Sequence, residues 1–395
     1  MLQRTLRAIE SQTVTPIMRD WFRKERSRKK QILFFALETF SLIGGLQSFN
    51  KRLIKHLGLY TISSAYNLAY VGLLRDKCAK IPSIPGVEIE TFGDSRTVFL
   101  FKAVLKAVRS GDIVLLGSVN LTSIAFFTKI FNKNVKVILF VHGDDVWNDP
   151  RYRKKKIYDE LFLKSVDCIA SVSWFTAHTM AREFGLPLSK FRLMPNATDR
   201  IVPPPLDQPP LGQRILAVSR LDAHDGGKNI DKLIQAMVYV SKRETMAILE
   251  IAGDGILRPA FEQLTSRLGV ERCVRFLGRL DDGELREAYA RAAVFALPSS
   301  KEGFGIVYLE AWQFGLPVIC SKFGAPSEIV SDGEDGFTVD PDDVKELAAK
   351  ILQLIEDKDL AKRFGENGRK KAEQKYSDLQ YGENFRVLMS EMENS

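Results

Sequence analysis

Pro298-Ser299-Ser300-Lys301-Glu302-Gly303-Phe304-Gly305-Ile306-Val307-Tyr308-Leu309-Glu310 decides how this chain is read. The apolar run that ends at Pro298 reads as a buried strand and Gly305 to Gly315 as a helix, so Ser299 to Phe304 is the crossover between them. A helix N-terminus offers unpaired N–H groups and about half a positive charge, and Gly303 and Gly305 let a phosphate approach the backbone closely. Glu302 then lies in the loop beside that anion site. Glu310 falls on the helix among Val307, Leu309, Ala311 and Trp312, where a carboxylate needs a hydroxyl or cationic partner. Two carboxylates flanking such a helix start suit a phosphorylated sugar: its hydroxyls donate to the carboxylates while the N–H groups take the phosphate. The spacing by itself leaves open a solvated Glu302 and an internally paired Glu310.

The surrounding chain has room for such a site. Its 395 residues, 45% hydrophobic and 27% charged, fit two globular domains with sizeable cores and exclude a disordered chain. Cys78, Cys168, Cys273 and Cys320 are far apart and follow no metal spacing, so they read as reduced core residues in a reducing compartment. No apolar run reaches the ~18 residues of a spanning helix, and the N-terminus lacks a signal-peptide apolar region. The expected location is therefore cytoplasmic. The net charge of +8 is uneven: residues 1–30 hold nine Lys/Arg against three Asp/Glu, which leaves +2 for the rest. In this arm Leu2, Leu6 and Ile9 share a helical face, and Ile17, Trp21 and Phe22 precede a basic run from Arg23 to Lys30. Aromatic residues beside a basic cluster suit an anionic membrane surface, as on the inner face of a plasma membrane. Packing of the tail on its own domain is the plain alternative, and no recognition motif supports nucleic acid as a partner.

Outward from the opening stretch, short apolar runs alternate with helical patterns. Gln31 to Leu37 suits a strand buried on both faces, and Gly44-Gly45-Leu46 precedes a helical pattern through Leu53 and Leu57. A glycine pair there permits approach to an anion, or is simply a tight turn. Further strands are expected at 113–116, 135–141, 168–173 and 191–194, an alternation that argues for a doubly wound, mostly parallel sheet. His142, Asp144 and Asp145 lie just past a strand end, where ligands bind in open α/β sheets. The histidine can meet a sugar hydroxyl and either aspartate can take a proton from an acceptor hydroxyl; on these residues alone, a satisfied loop histidine with capping aspartates is the preferred reading.

Pro203 to Pro210 admits neither helix nor central strand and marks a linker. A second sheet begins at Arg214 to Leu221, followed by the loop Asp222-Ala223-His224-Asp225-Gly226-Gly227, then Lys228 and a helix to about Val240. Arg220 at a strand end and Lys228 at a helix start converge on the Glu302 loop, the first able to fork onto a diphosphate and the second a point charge. Ile248 to Gly255 and Val274 to Leu280 are strand-and-turn units. Asp340-Pro341-Asp342 and Asp357-Lys358-Asp359 have the spacing of a metal-binding D-x-D pair but stand at helix starts. Asp343 with Glu346 has the spacing of a capping box, so these aspartates read as caps that require no metal.

The E-x7-E pattern inside Pro298-Ser299-x-x-Glu302-Gly303-Phe304-Gly305 resembles the donor-site signature of retaining glycosyltransferases of family 4, which have the two-domain GT-B fold. Ser165 to Ser173, Met194 to Asp199, Gly253-Asp254-Gly255 and Gly324 to Val330 extend the resemblance over residues 31 to 390. It implies two Rossmann-like doubly wound domains with an interdomain cleft and a C-terminal crossover helix. The boundaries expected are an arm over 1–30, an acceptor-side domain over 31–203, a linker over 204–213, a nucleotide-sugar domain over 214–375 and a helix over 376–395 that packs back on the first domain. It implies catalytic roles for Glu302, His142, Arg220 and Lys228, and donor binding by Gly44, Gly45, Gly253, Gly278, Arg279, Gly303, Phe304, Gly305 and Glu310. No cofactor is implied.

The activity implied is transfer of a hexose, with retention, from a nucleotide diphosphate sugar to a saccharide or lipid-linked saccharide in cell-surface polysaccharide synthesis. On family frequency UDP-glucose comes first and GDP-mannose second. The loop 222–227 is longer than the common family form, and Gly324-Ala325 stands where the family more often shows two glycines, which keeps Glu328 off the catalytic set. A nucleotide-sugar epimerase, a non-catalytic nucleotide-sugar binder and a membrane-surface adaptor are the alternatives.

Overall fold

The computed structural model describes residues 30–42, 44–64, 66, 68–77, 81–202, 213–222 and 227–394. The arm before Lys30, the proline run from 203 to 212, residues 223–226 of the long loop, and Cys78 lie outside that range.

Two sheets carry the described strands. β1 (Gln31–Leu37), β2 (Leu68–Leu74), β3 (Val87–Thr91), β4 (Gly111–Leu116), β5 (Lys136–Val141), β6 (Cys168–Ser171) and β7 (Phe191–Leu193) run in the order β3-β2-β1-β4-β5-β6-β7. β8 (Gln213–Val218), β9 (Ala247–Ala252), β10 (Val274–Gly278), β11 (Val294–Leu297), β12 (Val318–Ser321) and β13 (Gly336–Val339) run in the order β10-β9-β8-β11-β12-β13. The paired strands run parallel, as in β1 with β2 and β4, and β11 with β8 and β12. Parallel strands need covered faces, and the unbroken apolar runs of β1, β5 and β11 supply them: Ile32 to Ala36, Val137 to Val141 and Val294 to Leu297 are all buried.

β2 and β3 were not legible as strands. Gly72 interrupts the apolar run of β2; a Cβ there would lie 2.9 Å from the Phe35 ring, so the glycine makes room for a neighbour on β1. β3 is half polar because it stands at the sheet edge.

The helices follow the strands in alternation: α1 (Gly45–Ser63), α2 (Arg96–Ser110), α3 (Thr122–Phe131), α4 (Asp159–Leu163), α5 (Trp174–Phe184), α6 (Ile230–Arg243), α7 (Arg258–Leu268), α8 (Asp282–Arg291), α9 (Ile306–Gln313), α10 (Pro326–Ile329), α11 (Val344–Glu356), α12 (Lys358–Lys375) and α13 (Asp378–Asn394). Among the described residues none is long and apolar enough to cross a membrane. α6 shows the usual logic, burying Ile230, Leu233, Ile234, Met237 and Val240 at helical spacing. Asp343 and Asp357 cap α11 and α12, accepting from the N–H groups of Glu346 at 2.9 Å and Leu360 at 2.9 Å. The capping box is only half formed, because the Glu346 carboxylate accepts instead from the Asp340 N–H at 3.4 Å.

The described residues fall into two compact units, divided along Met1–Ile43, Leu53–Ile138 and Leu161–Asp167 for the first and Gly44–Arg52, Leu139–Glu160 and Cys168–Ser395 for the second. In both sheets the strand order reverses, between β1 and β4 and between β8 and β11, and the carboxyl ends at such a reversal are where open α/β sheets bind ligands. β8 runs into Ser219-Arg220 and β11 into the Glu302 loop.

Candidate functional site

The residues that come together here all belong to the second unit. The Glu302 loop is fastened first by the segment before α6. The Gly227 carbonyl accepts from the N–H groups of Ser300 at 2.9 Å and Lys301 at 3.3 Å. Asn229 stands at the N-terminus of α6 with φ 56°, a left-handed conformation asparagine tolerates. Its amide does not cap the helix; it donates to the Pro298 carbonyl at 2.7 Å and to Ser300 Oγ at 3.2 Å. Lys228, held between these anchors, pairs with the Glu302 carboxylate. An asparagine before a helix is legible as a cap, but nothing in the sequence signals this longer reach.

The loop is fastened next by the strand end that carries His142. Gly303 packs so closely on it that a Cβ would lie 1.8 Å from the His142 carbonyl oxygen. The missing side chain at Gly303 is thus used by the protein's own backbone. Ser173 Oγ and Thr176 Oγ1, at the start of α5, donate to the Gly303 carbonyl at 2.8 and 3.1 Å. Lys301 pairs with Asp149, which also receives Arg151 Nη2 at 2.6 Å. Glu328 accepts from the Trp174 N–H at 2.8 Å and from the Phe175 N–H, so it caps α5.

Charge concentrates where these segments meet. Asp144 is open to water on one side and flanked by protein on the others; desolvation pushes its carboxyl up to about 6, with Lys228 and Arg220 drawing it down and Asp145 and Glu302 raising it. Arg220, Lys228, Glu302 and Asp144 therefore share one electrostatic neighbourhood. Asp145 is otherwise engaged: its Oδ1 accepts from the backbone N–H groups of His142 at 3.2 Å and Gly143 at 3.3 Å. The His142 ring meets Phe49 edge-on at 4.5 Å, and its Nε2 is enclosed with no hydrogen-bond partner among the described residues. Burial pushes its pKa below the ordinary histidine value, which favours a neutral ring.

At the other end of the stretch, Glu310 Oε2 accepts from Tyr289 Oη at 3.0 Å. Burial pushes its carboxyl up to about 7, opposed by that hydrogen bond. Tyr289 is buried and stacks on Phe314 at 5.2 Å. α12 presses on this helix through Gly365 and Gly368, whose added Cβ atoms would meet Gly315 O at 1.9 Å and the Trp312 ring at 2.1 Å.

The remaining expected residues have distinct settings. Gly253 donates its N–H to the Gly278 carbonyl at 2.8 Å, and a Cβ on Gly253 would lie 1.8 Å from Ser219 O, so these two glycines adjoin the Arg220 turn. Arg279 is exposed just beyond β10. Gly44 and Gly45 stand at the start of α1, and the space a Cβ would take at Gly45 is open. Gly305 has φ 97° and precedes α9; its carbonyl takes the Tyr308 N–H at 3.1 Å, and among the described residues no side chain caps the first turn. The Phe304 ring is buried edge-on against Tyr376 at 5.7 Å, so that side chain packs the protein.

Comparison with known proteins bears on this arrangement. Residues 207–371 match the family described as glycosyl transferases group 1. The chain is 33% identical over 219 residues to the GDP-mannose-dependent alpha-(1-6)-phosphatidylinositol monomannoside mannosyltransferase of Mycolicibacterium smegmatis, covering 51% of this chain and 56% of that protein. It is 30% identical over 216 residues to the O-antigen chain mannosyltransferase B of Escherichia coli, covering 52% and 56%. The chain thus spans little more than half the length of these relatives. Among solved structures, Anabaena HepE in complex with UDP-glucose aligns with a TM-score of 0.71 at 20% identity over 91% of this chain and 99% of that one. The sucrose-phosphate synthase of Thermosynechococcus elongatus aligns with a TM-score of 0.73 at 20% identity over the same shares. These likenesses show the GT-B fold expected from the sequence.

Proposed function

Through residues 207–371 the chain belongs to the glycosyl transferases group 1 family, and from that membership we propose that it transfers a hexosyl unit, with retention, from a nucleotide diphosphate sugar to a saccharide or lipid-linked hydroxyl. The observation that carries this reading is the pairing of Lys228 with Glu302 at the start of α9, in the same electrostatic neighbourhood as Arg220 and Asp144. As the bond between the anomeric carbon and the diphosphate oxygen breaks, negative charge grows on the leaving group. Arg220, Lys228 and the uncapped N–H groups of α9 stabilise that charge. Glu302 exchanges its lysine partner for hydroxyls of the donor sugar, and the enclosed Nε2 of His142 serves the same sugar. Glu310 accepts from ribose hydroxyls while keeping its Tyr289 contact. The acceptor hydroxyl attacks from the face the diphosphate leaves, and its proton passes to a phosphate oxygen. Asp144, freer than Asp145, orients that hydroxyl.

For the donor we put GDP-mannose ahead of UDP-glucose, because the relatives at 33% and 30% identity bear mannosyltransferase names. The lipid-linked acceptor draws on the phosphatidylinositol monomannoside in the first of those names. The test is a screen of GDP-mannose, UDP-glucose and their free nucleotides for protection against thermal unfolding, followed by nucleotide release with lipid-linked and free saccharides. Protection by one sugar nucleotide and release that depends on an acceptor are expected. Turnover of the donor without any acceptor would replace transfer by epimerisation, and protection without release would leave a binding protein.

A further inference from the structure

The first unit carries a surface that the proposed chemistry does not use. α2 and α3 pack side by side, and Asn132 Nδ2 donates to the Val108 carbonyl at 3.2 Å, tying their C-terminal ends together. α2 turns Phe99, Ala103 and Ala107 inward and α3 turns Ile124, Ala125 and Thr128 inward. Their opposite faces mix apolar with cationic side chains. Val98 and Phe101 of α2 are 49% and 69% exposed, and Phe127, Ile130 and Phe131 of α3 are 38%, 46% and 48% exposed. Five large apolar side chains on two adjoining helices exceed the scatter of single apolar residues ordinary on a soluble surface.

The charge on the two helices themselves has one sign. Residues 95–136 hold seven Lys/Arg and a single acid, Asp112, and neither helix contains an Asp or Glu. Acids from outside the helices pair with some of the cations, Glu90 with Lys102 at 2.7 Å and Asp167 with Lys129 at 2.7 Å. The balance stays positive, with Arg96 and Lys133 exposed at the edges.

We infer that the α2–α3 face of the first unit docks on an anionic lipid surface, the aromatic and aliphatic side chains entering the headgroup boundary and the cations meeting lipid phosphates. Charge decides among occupants. The chain's own arm, with nine basic residues against three acidic ones, would bring like charge to a cationic face. A second copy applying the same face would do so as well. An anionic bilayer supplies both the missing negative charge and an apolar layer. This surface is separate from the arm read from the sequence, and its purpose rests on the lipid-linked acceptor of the proposed function.

The test uses the full chain and scores co-sedimentation with vesicles, without donor or acceptor, so the result stands whether or not lipid-linked transfer is found. Vesicles of phosphatidylcholine alone are compared with vesicles containing about a third phosphatidylglycerol, at low and high salt. Wild type should bind the anionic vesicles, weaken with salt, and bind the neutral ones at least tenfold less. The double variant Phe101→Ser with Phe131→Ser should lose tenfold or more of that binding while unfolding at the wild-type temperature. Arg96→Glu with Lys133→Glu, which leaves the apolar residues in place, should lose severalfold. Unchanged binding in the charge variant and in a folded apolar variant would overturn the inference and leave any binding to the arm. A wild-type dimer that the apolar variant dissolves, with vesicle binding unchanged, would also overturn it in favour of a subunit contact.

Discussion

Glu302 and Glu310 stand at opposite ends of one short stretch, and their surroundings differ in kind. Glu302 lies in a loop held by backbone and hydroxyl contacts from 227–229, 142–143 and 173–176, and its partner is a cation. Glu310 lies among apolar side chains, with a buried tyrosine hydroxyl as partner and its carboxyl pushed up to about 7. The same residue type is therefore paired with a cation at one end and drawn toward neutrality at the other. An ion pair can be exchanged for a charged ligand, whereas a carboxyl already paired with a hydroxyl suits further hydroxyls.

The largest effect that would break this contrast is expected at the ion-paired end. Glu302→Ala should lower turnover, read as nucleotide release, by roughly 100- to 1,000-fold with an unchanged unfolding temperature; near-wild-type turnover would remove Glu302 from the site. Next comes the scaffold of that end. Gly303→Ala forces a Cβ to within 1.8 Å of the His142 carbonyl, so it should cost about 1–3 kcal/mol of stability, measured by denaturant unfolding, and depress turnover with it. A fully stable Gly303→Ala would mean the two backbones do not meet.

The smallest effect tests the neutral end. The Glu310 carboxyl sits at about 7 in the folded chain and near ~4.3 when unfolded, so the folded state binds the extra proton. Its contribution to stability is present below the unfolded value and is lost as pH rises through the folded one. Glu310→Gln removes that titration while keeping an acceptor for Tyr289. Its unfolding temperature relative to wild type should therefore climb between pH 5 and pH 8. A difference that stays flat across that range would show an ordinary carboxylate.

Much of the fold was legible because parallel strands buried on both faces are written as short unbroken apolar runs, as in Ile32 to Ala36 and Val294 to Leu297. Where a neighbour's bulk demanded a glycine, at Gly72 beside Phe35, or where a strand stood at the edge, the run was broken and β2 and β3 were missed. That Arg220, Lys228 and Glu302 lie near one another was legible because strand ends and helix starts are few and these residues stand on them. What holds them was not. Asn229 reaches Pro298 and Ser173 reaches Gly303 across 69 and 130 residues of chain, and a side chain bonded to a distant carbonyl leaves no periodicity to read. The Glu346 side chain shows the same limit on a smaller scale, since the spacing marks a capping box but not which N–H the carboxylate will choose.

The contact between Gly303 and the His142 carbonyl also bears on how such a chain can drift. Most positions near a site can be explored one substitution at a time, because a new side chain finds solvent or displaces a neighbour. Here even a methyl group meets main chain, the peptide unit that joins His142 and Gly143, and main chain cannot be traded for a smaller variant. A lineage can lengthen the loop before Lys228 or vary the exposed Arg279, but at Gly303 it is left with a single allowed letter unless the neighbouring strand end shifts in the same step.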